Sequence, residues 1–176
     1  MQKNELAIQT LERVIAKYPG TTTAKDALVT MRNIYVSMDR VDDFIAKVKT
    51  YPSANVSIEE QDSITYVAAE NRYMDGDCQK ARAGFANYIN KFPAGAFILS
   101  ARFYKAECDY KSGNINDAIN GYEIVLEAPK TKFSERALLN SADISFKQKN
   151  FEKSLAYYQR LDTFFHFFIF ILTARI

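Results

Sequence analysis

The sequence is poor in the residues that most catalytic and metal sites need. It has one histidine, His166, no tryptophan, and two cysteines, Cys78 and Cys108, which are far apart in the chain. Structural zinc sites use four Cys or His ligands at short spacings, so the sequence predicts no metal site and no cofactor. It also has no glycine-rich phosphate loop and no nucleophile–histidine arrangement away from His166. We therefore assign no catalytic residue and expect a protein that is not an enzyme.

Glycine, proline and net charge are also low. Six glycines and four prolines argue against collagen-like and loop-rich all-β chains, and the net charge is only +2. Basic residues alternate with acidic ones, so no positive stripe indicates a nucleic-acid partner. The longest apolar run, 164–172, is much shorter than the roughly 20 residues of a membrane-spanning helix. We expect no membrane span, and the first residues show no signal-peptide pattern that would indicate a compartment. The two cysteines fit either free thiols or a disulfide.

The sequence does contain an internal period of 36–37 residues. Similar segments begin near Asn4, Asp77, Ile115 and Phe151, and a degenerate copy centres on Phe44. Within each copy, residues at offsets 0, +4 and +7 share one face of a helix and predict a buried stripe. The stripes are Ala7, Leu11, Val14; Phe44, Val48, Tyr51; Ala81, Phe85, Tyr88; Ala118, Tyr122, Val125; and Ser154, Tyr158, Leu161.

A further amphipathic segment precedes each of the last four copies. Its apolar face carries Leu28, Met31, Tyr35 and Met38; Tyr66, Ala69 and Tyr73; Phe103, Ala106 and Tyr110; or Leu139, Ala142 and Phe146. Glycine or asparagine marks the turn inside each pair, and Pro19, Pro52, Pro93 and Pro129 end helices between pairs. Pro52 falls early and predicts a shortened helix. The pattern predicts an all-α fold, a right-handed α-solenoid of antiparallel helix pairs with about nine helices.

The two ends of the sequence differ from the repeating part. Residues 1–162 are predicted to form a superhelix of about four and a half repeats that starts in mid-repeat, on a second helix. Residues 163–176 form an apolar tail of uncertain origin, with five of the 13 phenylalanines between positions 164 and 170. A shifted reading frame or a genuine apolar extension of the last helix would each produce such a tail.

These helix pairs resemble tetratricopeptide repeats over about residues 4–162. The likeness rests on Ala81-x3-Phe85 with Pro93 and on Ala118-x3-Tyr122 with Pro129. The family's Trp-x2-Leu-Gly signature is absent, since the corresponding stretch 102–106 reads Arg-Phe-Tyr-Lys-Ala. The resemblance implies a non-catalytic scaffold that binds a protein or peptide on a concave surface lined by the first helices of the pairs.

The longer period and the Tyr-Pro or Phe-Pro endings are also similar to bacterial cell-envelope repeat proteins of the Tol–Pal-associated and outer-membrane-assembly lipoprotein types. This second resemblance implies, as an alternative function, maintenance of the cell envelope, and it favours the periplasm. Another alternative is the regulatory arm of a larger enzyme. The partner, the compartment and the oligomeric state are not determined by the sequence.

An acidic residue recurs at the same place in three successive first helices. Glu70, Glu107 and Asp143 each follow an apolar residue by four positions and precede an aromatic residue by three. A row of acids beside aromatic rings would suit a basic or amphipathic peptide, whereas a charge repeated on a solvated helix face explains the same pattern. The predicted partner-binding groove comprises Tyr66, Glu70, Tyr73, Phe103, Glu107, Tyr110 and Asp143.

Overall fold

The computed structural model describes residues 2–52 and 54–173, with side chains described for 2–52 and 54–163. This part of the chain forms nine α-helices and no strand, and each helix packs against the next. The predicted all-α solenoid of helix pairs is therefore confirmed. The helices are α1 Gln2–Lys17, α2 Thr22–Ser37, α3 Val41–Val48, α4 Ile58–Met74, α5 Cys78–Lys91, α6 Ile98–Lys111, α7 Ile115–Glu127, α8 Ser134–Lys147 and α9 Phe151–Thr173.

The helices form pairs closed by the same turn. We call α2, α4, α6 and α8 the first helices and α3, α5, α7 and α9 the second helices; α1 corresponds to a second helix. A residue with left-handed backbone ends each first helix, and the next amide donates to the carbonyl five residues earlier. This is the Schellman motif, which caps the last carbonyls of a helix and turns the chain back. The left-handed residues are Asp39, Gly76, Gly113 and Lys149.

The predicted buried stripes are confirmed most fully in the central second helices. Ala81, Phe85 and Tyr88 of α5 are completely buried, as are Ala118, Tyr122 and Val125 of α7. In α1 the buried residues are instead Ile8 and Ile15, one position on from the predicted Ala7 and Val14. Helix α3 has only eight residues and ends before Pro52, as predicted.

The expectation for the last pair is wrong at three positions. Leu139 and Phe146 of α8 are 41% and 58% exposed, and Tyr158 of α9 is 47% exposed, while Leu138 and Tyr157 are buried. The reason is visible in the preceding pairs. There, the residues equivalent to Leu139 are covered by a ring from the following pair: Phe97 stacks on Tyr66, and Phe133 stacks on Phe103. Among the described side chains, no ring stacks on this part of α8 in the same way.

The two glycines inside helices mark places where neighbouring helices nearly touch. A Cβ built on Gly84 of α5 would lie 2.8 Å from the Cβ of Ala69, and one on Gly121 of α7 would lie 2.8 Å from that of Ala106. Both contacts pair a second helix with the first helix before it. Small residues on both sides therefore set the close spacing of α4 with α5 and of α6 with α7.

Replacing Ala118 with leucine is expected to lower the free energy of unfolding by about 1–3 kcal/mol, because the added atoms must fit into a filled core. Ala118 is fully buried among Phe103, Ala106 and Tyr122. Chemical denaturation followed by circular dichroism measures the change. Ala156→Leu, on the exposed face of α9, is the matched control and should change stability by less than about 0.5 kcal/mol. Equal stability of the two variants would mean that α7 is not packed as described.

The residues predicted to form an apolar tail begin within α9. The backbone of α9 is helical without interruption through Thr173, well past the predicted boundary at residue 163. The side chains from residue 164 onward and the residues 174–176 lie outside those described. The division into a superhelix of residues 1–162 and an apolar tail of residues 163–176 stays a prediction.

Candidate functional site

The residues predicted to form the groove all lie on first helices that are neighbours in space. Helix α4 contacts both α2 and α6, in addition to the helices adjacent in sequence. Helices α6 and α8 are joined by hydrogen bonds from Asn140 to Glu107 (2.6 Å) and from Tyr110 to Asp143 (2.5 Å). The first helices therefore form one continuous surface, which we call the first-helix surface.

Three of the seven predicted groove residues are buried and pack inside the fold. Tyr66 and Phe103 are each 4% exposed, and Glu107 is 3% exposed. The Tyr66 ring stacks on Phe97 with centroids 4.5 Å apart, and the Phe103 ring stacks on Phe133 at 4.7 Å. These rings hold consecutive pairs together, so they are not available to a partner. The prediction that Tyr66 and Phe103 line a partner-binding groove is therefore wrong for these two rings.

The carboxylate of Glu107 is buried and bonded to other side chains of the fold, so it does not face solvent. It accepts hydrogen bonds from the Tyr122 hydroxyl (2.8 Å) and the Asn140 amide (2.6 Å), and it pairs with Arg136 at 2.9 Å. Burial and the nearby carboxylate raise the pKa of Tyr122 well above its usual value. Thus the phenol stays protonated and acts as a donor. Glu107 therefore links α6, α7 and α8 into one network.

Asp143 lies nearer to solvent and is also neutralised within the fold. It pairs with Lys147 (2.7 Å) and accepts a hydrogen bond from Tyr110, and these two contacts, in that order, lower its pKa. A carboxyl whose pKa is lowered by folding stabilises the native state above its unfolded pKa. That contribution is lost as the pH falls through the folded pKa. Asp143 thus supports the junction of α6 with α8 at neutral pH.

Glu70 differs from the other two acids. It is half-buried and accepts a hydrogen bond from the Tyr66 hydroxyl of its own helix at 2.7 Å. Among the described side chains, no basic group forms an ion pair with it, whereas both Glu107 and Asp143 have one. Burial, followed by the charge of Glu70, raises the pKa of Tyr104 on α6. The three acids are therefore not an equivalent row, because only Glu70 has no ion-pair partner among the described side chains.

The sequence analysis missed the basic residues on this same surface. Lys111 lies over the ring of Tyr73, with 5.0 Å between its ammonium nitrogen and the ring centroid, and Lys147 lies over Tyr110 at 5.6 Å. Cation–π contacts of this kind hold a charge beside an aromatic face. Lys111 and Lys147 stand at the same place in the repeat, eight residues after Phe103 and Leu139. This regular spacing is visible in the sequence and could have predicted basic residues on the first-helix surface.

Tyrosine side chains join neighbouring first helices on this surface. The rings of Tyr73 on α4 and Tyr104 on α6 have centroids 4.6 Å apart, and both are half-buried. On α4, the apolar side chains of Val67 and Met74 are 36% and 67% exposed. Two adjoining phenol rings thus lie between α4 and α6, and Glu70 and two exposed apolar side chains lie on α4.

The structure also contains a cavity that the sequence did not indicate. It has a volume of about 500 Å³ and lies where the short α3 leaves space against α4 and α5, lined by Val41, Ala68 and Gly84 among others. Its charged rim is largely paired within the fold, since Arg72 contacts Asp39 at 2.6 Å. Across the described residues no group of three His, Cys, Asp or Glu side chains is placed to hold a metal ion. No helix in the same part of the chain is long and apolar enough to span a membrane.

Comparison with known proteins agrees with this architecture. A family model for the tetratricopeptide repeat matches residues 1–21. The crystal structure of MamA is similar to this chain with a TM-score of 0.52 and 15% sequence identity, covering 90% of this chain and 86% of that one. A search of curated protein sequences finds no match.

The chain thus has the fold of a tetratricopeptide-type helical solenoid, and the resemblance seen in the sequence is confirmed. Proteins of this kind are generally non-catalytic scaffolds that bind other proteins. The repeat model covers the segment of α1 and the turn after it, while the structural likeness extends over nearly the whole array.

Proposed function

We propose that this protein is an interaction scaffold that binds an amphipathic segment of a partner protein on the first-helix surface between α4 and α6. The observation that carries the proposal is the environment of Glu70, which has no ion-pair partner among the described side chains and lies near Tyr73 and Tyr104. Contacts between neighbouring first helices, such as α2 with α4 and α4 with α6, support their placement on the inner side of the solenoid. Solenoids commonly use such an extended inner surface to bind partners.

The chemistry of this surface favours a particular kind of partner segment. A lysine or arginine of the partner would pair with the carboxylate of Glu70. Apolar side chains on the same face of the segment would cover Val67 and Met74, which are exposed. Lys111, near the end of α6, lies over the Tyr73 ring and would favour an acidic residue at that end of the segment. The partner segment is therefore amphipathic with a basic residue at the α4 end.

We expect Glu70→Lys to weaken binding of such a segment about tenfold at low salt, because it replaces an attraction by a repulsion. The probe is a fluorescent helical peptide that carries leucines and one lysine on the same face, and the measurement is its fluorescence anisotropy. Binding to the unmodified protein should also weaken as salt is raised, since partly exposed charges are screened.

The matched control is Glu127→Lys, which makes the same charge change at an exposed position at the end of α7. It should leave binding nearly unchanged. A peptide in which glutamate replaces lysine should bind more weakly than the probe. Equal losses in the two protein variants would contradict the proposal, because the effect would then follow net charge and not the α4–α6 surface.

Envelope maintenance stays a prediction from resemblance, and the regulatory arm of a larger enzyme stays a separate alternative; both are compatible with a scaffold. Each concerns where the scaffold works and with what, and neither changes the surface by which it binds. The anisotropy titration with the helical peptide tests binding of the segment in either case.

A further inference from the structure

The two cysteines, distant in sequence, lie in contact in the structure. Cys78 is the first residue of α5, Cys108 lies in the third turn of α6, and their sulfur atoms are 2.7 Å apart. Both are free thiols, with Cys108 fully buried and Cys78 half-buried. In the next pair, Ile115 and Ile144 occupy the equivalent places and belong to one apolar cluster. The junction between α5 and α6 is therefore the place where this array substitutes two thiols for apolar side chains.

We propose that Cys78 and Cys108 form a redox-active dithiol that closes reversibly to a disulfide by exchange with a small-molecule or protein disulfide. A disulfide requires two side chains whose sulfur atoms can approach to about 2.05 Å without moving the backbone far. The observed contact already brings the sulfurs most of the way. The inference rests on this contact and is independent of the proposed partner surface.

The exchange takes place in two balanced steps. The Cys78 thiolate first attacks one sulfur of an external disulfide R–S–S–R, which forms a mixed disulfide at Cys78 and releases one thiol R–SH after proton uptake. Cys108 then loses its proton and attacks the Cys78 sulfur, which releases the second R–SH. Two protein thiols and one external disulfide thus become one protein disulfide and two external thiols.

The different exposure of the two thiols determines their order of reaction. Cys78 is partly accessible and is the first residue of α5, so an external disulfide can reach its sulfur. Burial, together with the adjacent Cys78, raises the pKa of Cys108 to about 12, while Lys111 opposes the shift. Once Cys78 is in the mixed disulfide, it no longer carries a negative charge that would oppose ionisation of Cys108. Cys78 is therefore the attacking thiol, and Cys108 is the resolving thiol.

The disulfide would link two consecutive helix pairs. It joins the start of the second helix α5 to the following first helix α6, which carries Tyr104 and Lys111 of the first-helix surface. The closed loop contains thirty residues, so oxidation restricts the unfolded chain considerably. Oxidation should therefore stabilise the array at this junction and restrict motion between α5 and α6.

The test treats the full chain with oxidised glutathione under native conditions, followed by peptide mass spectrometry without reduction. We expect a peptide in which Cys78 is linked to Cys108 within one chain. We also expect a melting temperature about 10 °C above that of the chain kept in dithiothreitol. The proposal would be overturned if the chain without substitutions gave mainly intermolecular dimers, stable glutathione adducts or unreacted thiols. Equal melting temperatures of the oxidised and reduced chains would also overturn it.

Two single variants separate the roles of the thiols. Cys108→Ala should accumulate a stable glutathione adduct at Cys78, because the resolving thiol is missing. Cys78→Ser should remain unmodified, because Cys108 is buried. Alanine is chosen at position 108 because it fits the core without a new polar group, and dithiothreitol-treated samples of each variant show by circular dichroism that the fold is retained. Adducts on Cys108 in the Cys78→Ser variant would contradict the assigned order.

Discussion

Glu107→Ala is expected to lower the free energy of unfolding by about 2–4 kcal/mol, because it leaves buried donors without their acceptor. The carboxylate is 3% exposed and bonds to Tyr122, Asn140 and Arg136. Its removal leaves a buried phenol and a half-buried amide without their acceptor, and Arg136 without its counter-charge. Because these partners come from α7 and α8, the loss affects contacts among three helices. Urea denaturation followed by circular dichroism measures it.

Asp143→Ala provides the matched control for this prediction. It removes an acid from the equivalent position of α8, where the side chain is 43% exposed and its partners reach solvent. We expect only a small fraction of the loss seen for Glu107→Ala, because a solvated ion pair contributes little to stability. Glu107→Gln should be intermediate, since the amide oxygen still accepts from Tyr122 while the amide nitrogen opposes Arg136. Comparable losses for the two alanine variants would show that the repeated acid has one role along the array.

The second large effect is expected for Asp62→Ala, with a loss of about 2–4 kcal/mol. Asp62 of α4 is 7% exposed and accepts hydrogen bonds from the Tyr88 hydroxyl and from the Ala96 amide, the latter at 2.7 Å. The same hydroxyl accepts a hydrogen bond from the Phe97 amide at 3.0 Å. Asp62 therefore holds the loop that leads from α5 to α6, and its removal leaves buried donors unpaired. Denaturation with urea is again the measurement.

Two further variants make this second prediction specific. Asp62→Asn keeps a side-chain acceptor and should recover part of the stability. Asp26→Ala removes an exposed acid from α2 and should have little effect. Space around the loop is limited as well, since a Cβ on Gly95 would lie 2.8 Å from that of Phe92 and 3.0 Å from Asp62. If Asp62→Ala is as stable as Asp26→Ala, the loop is held by its backbone contacts alone.

Much of the fold was determined by the sequence because its signals are local. The offsets 0, +4 and +7 place Ala81, Phe85 and Tyr88 on one helical face, whatever that face packs against. The glycines at 76 and 113 permit the left-handed turn, and Pro52 ends the short α3, through backbone geometry alone. These features are properties of a few consecutive residues. The period of 36–37 residues then repeats the same helix pair and turn along the chain.

The candidate site could be predicted only in part. The sequence correctly placed its residues on neighbouring first helices, and it identified Glu70, Tyr73 and Tyr110 on the surface that the structure forms. It did not separate Glu70 from Glu107, since the two acids have the same position in the repeat. Burial depends on what the neighbouring helices supply, and α8 supplies Arg136 and Asn140 to Glu107.

Only the tertiary structure decided which equivalent positions differ. Leu139 has the same position in the repeat as Tyr66 and Phe103, yet it is exposed. Phe97 covers Tyr66 and Phe133 covers Phe103, and each of these rings comes from the next helix pair. Cys78 and Cys108 meet because consecutive pairs stack α5 on α6. The sequence by itself determined the helices, their turns and their period, which depend on neighbours in the chain. Charge compensation, burial of side chains and the thiol contact depend on neighbours in space, and these were decided by packing between the pairs.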